Sequence, residues 1–275
     1  MRRTLPLLIV LAAVVLSSCA EHRVLLASRP AGGTPLTFRL ELTADVDRTL
    51  EGETREQRVE AAFRVVQDVL FRQRDGTARA RLTLAPISLR VDGQVVTVGP
   101  GQEFLVTMAS DGRIVEIEES TGEPAEALAP VGLERLLPRL GPVLPEGPIG
   151  IGDSWTSDSE FADETGSFSV ALRSHLARLG MRDGEAAALV RTTYVSPVRR
   201  REVFANAVAE IDGQDVGTQE AWFALDGFLL QASGDSVGSY RVTFRPPGGE
   251  EVLEPVRGSL DVRLHTEMSL VSEAG

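Results

Sequence analysis

Lysine is absent from this chain: all 28 basic residues are arginine. That absence excludes every lysine chemistry, from Schiff bases to the phosphate-loop lysine. Cysteine occurs once, at Cys19, so an intrachain disulfide and a structural zinc site built from cysteines are both excluded. Aromatic side chains make up 5% of the chain, and Trp155 and Trp222 are its only tryptophans, too few for a sugar-stacking or base-stacking platform. No glycine-rich phosphate loop stands at a strand-to-helix junction, so nothing supports nucleotide use. The formal net charge of -12 argues against nucleic acid, because phosphate polymers and anionic headgroups repel an acidic surface.

What the chain does have begins at its N-terminus. Arg2 and Arg3 form a positive start, Leu5 to Leu16 an apolar run, and Ser17 and Ser18 a small-residue step before Cys19. That order is the layout of a secretory signal. The run is shorter than the roughly 20 residues a spanning helix needs, and no later apolar run approaches that length. Leu16-Ser17-Ser18-Cys19 resembles a bacterial lipoprotein lipobox: Leu three residues before the cysteine, then two small residues. The resemblance implies that Cys19 is alkylated by a diacylglyceryl group, becomes the first residue of the mature protein and is acylated on its new amine. Two or three chains make a lasting anchor, since each buried methylene contributes about 0.8 kcal/mol. Ala20 stands where an inner-membrane retention signal places Asp, so for a Gram-negative source the resemblance implies the periplasmic face of the outer membrane.

Beyond the anchor the pattern is one of strands. Residues 19–34, with Pro30, Gly32 and Gly33, have the composition of a flexible tether. Leu36, Phe38, Leu40 and Leu42 then alternate with polar residues at the period of a half-buried strand. Three Asp-Gly signals recur in the same order. Asp75-Gly76, Asp92-Gly93 and Asp111-Gly112 are echoed by Asp183-Gly184, Asp212-Gly213 and Asp226-Gly227. Asp-Gly favours hairpin turns because glycine takes positive φ cheaply, and the repeated order points to an internal duplication. The stretches over 55–73 and 167–180 carry both a strand reading and a helical stripe; the strand reading is preferred, because each runs straight into a turn without a helix C-cap. Later strands are expected over Arg201 to Glu210, Thr218 to Ala224, Phe228 to Ser233, Ser239 to Phe244 and Ser259 to Leu270.

Between the repeats, Leu133, Leu136, Leu137 and Leu140 sit at helical spacing, with Pro138 ending the helix early and Pro142, Pro145 and Pro148 following. A connector packed on a sheet is expected; a plug gating an apolar cavity in a curved sheet is the alternative. The connector closes on Gly152-Asp153-Ser154-Trp155. Here the chain resembles a group of uncharacterised β-rich bacterial lipoproteins that carry this motif after a proline-rich link. That resemblance brings no activity. Gly152 permits a tight turn, Asp153 can accept backbone amides, and Trp155 can anchor the next strand.

The sequence therefore predicts a mainly β protein: two similar antiparallel, curved or half-barrel-like sheets with a short helix in the connector. Its expected parts are a signal peptide over 1–18, a tether over 19–34, a first β repeat over 35–125, a connector over 126–150 and a second repeat over 151–275. His22, His175 and His265 lack metal-ligand spacing or a nucleophile motif, and the pairs Glu118 with Glu119 and Glu250 with Glu251 read as solvated charge on opposite strand faces. Arg199, Arg200 and Arg201 read as a solvated hairpin loop. No catalytic, cofactor-binding or metal residue is predicted, and Cys19 is the single candidate for chemistry. The expected role is a binding or structural module anchored at the cell envelope, partnered by the membrane and by an envelope protein or an apolar ligand; the alternative is a carrier of lipid or another apolar ligand.

Overall fold

The computed structural model describes residues 23–28, 34–122, 125–163, 166–203, 207–246 and 255–271. In these, the alternating pattern becomes twelve strands: β1 (Leu36–Leu50), β2 (Glu53–Arg72), β3 (Ala78–Val91), β4 (Gln94–Val95), β5 (Gln102–Met108), β6 (Ile114–Thr121), β7 (Ser154–Asp163), β8 (Gly166–Arg182), β9 (Glu185–Val203), β10 (Val208–Ala224), β11 (Leu229–Arg245) and β12 (Val256–Leu270). Strand period decides which side chains enter the core. Phe38, Leu40, Leu42, Ala44 and Val46 of β1 are buried, and so are Val262, Leu264 and Met268 of β12. The stretches with a helical stripe are β2 and β8, each running into a hairpin, as the missing C-caps require.

The sheet order is β6-β5-β3-β2-β1-β12-β11-β10-β9-β8-β7, with β4 added beside β3, and every pairing is antiparallel. Two five-strand meanders follow one another around the sheet, one from β1 to β6 and one from β7 to β11, with β12 between them. The halves do not form two separate sheets. β12 pairs with β1 on one side and β11 on the other, so they join into one curved sheet nearly closed into a barrel. Eleven antiparallel strands in one path leave the two end strands, β6 and β7, running in the same direction. An ordinary antiparallel ladder cannot join them, and the side chain of Arg113 spans the gap instead, donating to the carbonyl of Asp158.

The parallel ends also dictate the connector. A chain leaving one end of β6 must reach the opposite end of the barrel to begin β7, and residues 125–153 make that crossing through the interior. Leu128, Val131, Leu133, Leu136, Leu137, Val143 and Leu144 are buried in the same apolar cluster as the inward faces of the strands. A short α-helix, Leu133–Leu136, gives way to a 3-10 turn, Leu137–Arg139, where Pro138 forbids continuation.

Four expectations are corrected. The tether is not wholly flexible, because Val24 pairs with Ile149 and Leu26 is buried in the core. Asp212-Gly213 is no turn; it lies inside β10, so the expected break there is a continuous strand. Gly213 faces Tyr240 across the ladder, and a Cβ on it would come within 2.8 Å of the tyrosine ring. For the same reason the separate strands expected over 218–244 are parts of two long ones, with Gly217, Gly234 and Gly238 inside them. Arg199 to Arg201 belong to β9 rather than to a loop, and Arg199 reaches Asp212 of β10 at 3.5 Å.

Replacing Gly213 by alanine forces the Tyr240 ring and backbone apart. A loss of about 1–3 kcal/mol is expected in urea unfolding, whereas Gly141→Ala, which meets open space, changes little. Equal stability of the two variants would contradict the close approach.

Candidate functional site

Along the inward face of β10 the residues are Gly213, Asp215, Gly217 and Gln219, and each glycine pairs with an inward tyrosine. Gly213 lies opposite Tyr240 of β11, and Gly217 opposite Tyr194 of β9. Without Cβ atoms, the two glycines leave room for the rings to lie flat over the sheet; a Cβ at Gly217 would stand 2.6 Å from the Tyr194 phenol oxygen. The connector fills the layer above. Arg135 stacks on Tyr240 at 5.2 Å from the ring centroid, and Arg139, one helical turn on, stacks on Tyr194 at 5.1 Å.

Asp215 sits between the two stacks. Its carboxylate accepts the Tyr240 hydroxyl and faces Arg139 Nη1 across 3.2 Å. That ion pair lies off the hydrogen-bond direction, so Arg139 Nη1 and Asp215 Oδ2 have no hydrogen-bond partner among the described residues. Gln219 donates to the carbonyl of Arg139, and Arg139 Nε donates to the carbonyl of Arg135 at 2.9 Å. Arg135 and Arg139 are 6% and 5% exposed and Asp215 is 5% exposed, the buried charges among the described residues. Asp215 thus counters Arg139, while Arg135 is held by the Tyr240 ring and the carbonyl of Pro130. Burial, helped by Asp215, pushes the Tyr240 phenol far above its ordinary range and keeps it a neutral donor. Gly132 opens the helix at φ +64°, and a side chain there would collide with the Arg135 guanidinium.

One end of the barrel carries the turns over 73–77, 109–113, 183–184 and 225–228, together with residues 24–28; it is the tether end. There an apolar cavity of about 110 Å³ lies between connector residues Leu137 to Leu144 and strand residues including Phe38, Met108, Phe223 and Met268. Its volume is close to that of three or four waters. The connector packs inside the barrel, in the place of the alternative plug, and a larger cleft of about 340 Å³ opens at the β6–β7 seam between Glu134 of the connector and Ile117, Phe161 and Phe168.

Cys19, His22, Glu250 and Glu251 lie outside the described residues. His175 and His265 stand on β8 and β12, with three strands between them in the sheet, and are not brought together. The Glu118 carboxylate is held below its usual pKa, chiefly by the Thr107 hydroxyl at 2.7 Å and also by Arg79. Asp153 accepts the amide of Gly150 at 2.9 Å, and the Trp155 indole donates to the carbonyl of Val143 at 2.7 Å. The motif 152–155 therefore fastens the connector's exit to β7. Sequence reasoning missed Arg135, Arg139, Asp215, Gln219, Tyr194 and Tyr240. The signal that could have found them is the alternation of glycine with Asp215 and Gln219 in β10, set beside two arginines four residues apart in an apolar helix.

No protein-family model and no curated protein matches the chain.

Two outcomes test this geometry. Asp215→Ala strands Arg139 without a countercharge and removes the acceptor for Tyr240, so stability in urea is expected to fall by about 3–5 kcal/mol. Arg139→Met combined with Asp215→Leu should recover most of that loss; additive losses would contradict the pairing. At the surface, the hydrogen bond that His265 Nδ1 donates to the Asp235 carboxylate at 2.8 Å, aided by Glu267, raises the His265 pKa above 6.5. Protonated His265 therefore stabilises the fold below about pH 6.5, and that contribution fades as pH rises through the folded value. Asp235→Asn is expected to move the ring's NMR titration down toward 6.5, and an unmoved titration would refute the cause assigned.

Proposed function

We propose that the protein is a lipid-anchored cell-envelope lipoprotein, held through Cys19, that acts as a binding or structural module and not as an enzyme. The observation that carries this reading is the filled interior. Small-molecule sites in proteins are usually mostly apolar clefts of about 300–1,000 Å³, whereas the apolar cavity beside the connector, which Arg135 and Arg139 pin, is about 110 Å³. The larger hollows, a cleft of about 340 Å³ at the β6–β7 seam and an open groove of about 690 Å³ beside His265, lie outside it. A barrel whose interior holds its own chain works through its outside. Its partners on this reading are the membrane and an envelope protein, and no metal, cofactor or nucleic acid takes part. In a Gram-negative cell its place is the periplasmic face of the outer membrane.

A carrier of lipid or another apolar ligand is the second reading. The cavity favours it: its lining is mostly aliphatic and aromatic, and one wall, Leu137 to Leu144, belongs to the connector, so movement of that segment enlarges it. The same segment is tied down by Gln219, and its Leu144 amide donates to the carbonyl of Asp111 at 2.9 Å.

Palmitate labelling of cells and mass spectrometry of lipid extracts separate these readings. Label in the wild-type chain and none in Cys19→Ala is expected; label in neither refutes the anchor. Extracts of the purified wild-type chain and of a soluble chain starting at Ala20 are expected to hold no stoichiometric lipid beyond the anchor. A lipid co-purifying with both would replace the module by the carrier.

A further inference from the structure

The exposed apolar side chains are unevenly placed. Leu25, Leu70, Phe71, Ile151, Met181 and Val271 all lie at the tether end, on residues 24–28, the end of β2, the approach to β7, the tip of the β8–β9 hairpin and the exit of β12. Phe71 is 49% exposed and Met181 67% exposed, the only exposed phenylalanine and methionine among the described residues. Toward the opposite end Leu50, Ile87, Val95 and Val203 are exposed, with no aromatic side chain or methionine among them. Both tryptophans also sit toward the tether end. Trp155 is the second residue of β7, and Trp222 lies two residues from the end of β10, with the guanidinium groups of Arg178 and Arg182 over its ring at 4.8 and 6.0 Å. Tryptophan beside arginine, rimmed by aliphatic groups, is the composition that settles at a membrane–water boundary.

Chain length selects the same end. Val24 is fixed to Ile149 by backbone hydrogen bonds of 2.8 and 2.9 Å, and it lies five residue steps from Cys19. Fully extended, they span about 17 Å. A strand such as β10, with 17 residues, runs roughly 55 Å, so an anchor at Cys19 cannot bring the opposite end to the bilayer.

We infer that the tether end is a membrane-docking face, whose apolar rim enters the headgroup boundary of a lipid bilayer. The inference rests on the anchor reading for its orientation, while the rim itself is a property of residues 25–271. The occupant is a lipid surface of low charge, because the chain carries -12 and is repelled by anionic headgroups. The cavity between the connector and the strands lies at this same end, beside Ser28, Gly112 and Phe228.

The test reconstitutes the lipidated protein into vesicles of brominated phosphatidylcholine and reads quenching of tryptophan fluorescence. Quenching is expected in the wild type, and Phe71→Asp with Met181→Asp is expected to relieve it. Val95→Asp with Val203→Asp, at the far end, leaves it unchanged. The four positions are exposed, and matching thermal midpoints confirm that each variant is folded. For the chain from Ala20, which keeps every described residue, partitioning into the same vesicles is expected to fall by about tenfold in the Phe71 and Met181 variant. Palmitate label present with unquenched tryptophans overturns the docking face and leaves the anchor standing. Label absent with rim-dependent partitioning of the Ala20 chain overturns the anchor and leaves the face; no partitioning and no label overturns both.

Discussion

Eleven strands, each antiparallel to its neighbours, leave the first and last pointing the same way, so no antiparallel ladder can close the barrel. Everything distinctive about this protein follows from that parity. The seam between β6 and β7 is bridged by the Arg113 side chain rather than by a strand ladder. The link between them must run from one end of the barrel to the other, and the interior is its path. A connector of buried leucines is therefore built into the core, where an even-stranded meander would need only a hairpin.

An apolar connector in an apolar barrel has no preferred register, since burial is non-directional. Directional contacts supply it here. Arg135 and Arg139 are spaced by one helical turn, and Tyr240 and Tyr194 face the connector over Gly213 and Gly217 of one strand. Asp215 lies between those glycines and accepts one tyrosine while countering one arginine. The buried Arg139–Asp215 pair makes the seat intolerant of loss, because removing either group leaves the other charge without a partner in a medium of low dielectric.

Much of this architecture is legible in the sequence. The period of two along β1 and β12, the Asp-Gly turns at 75–76, 92–93, 111–112, 183–184 and 226–227, and the early stop at Pro138 each rest on local chemistry, and local chemistry survives folding. The turn expected at Asp212-Gly213 failed for a physical reason. A glycine in a strand gives the same local signal as one in a turn, but Gly213 is small to admit a tyrosine ring from the neighbouring strand. The buried site was invisible for a related reason: Arg135 and Arg139 look like the polar side of an amphipathic helix, and only the crossing path encloses that side as well. The Asp153 turn and the Trp155 anchor were readable because their partners, Gly150 and Val143, are close in sequence.

The central claim is that the connector belongs to the barrel's core and is not a detachable strap. Native-state hydrogen exchange tests it most directly, followed at the amides of Leu136, bonded to Gly132, and of Leu144, bonded to Asp111. The account predicts that both exchange only by global unfolding, with the same opening free energy as the central amides of β9 and β10. Exchange at Leu136 and Leu144 that is orders of magnitude faster, while β9 and β10 stay protected, would contradict it.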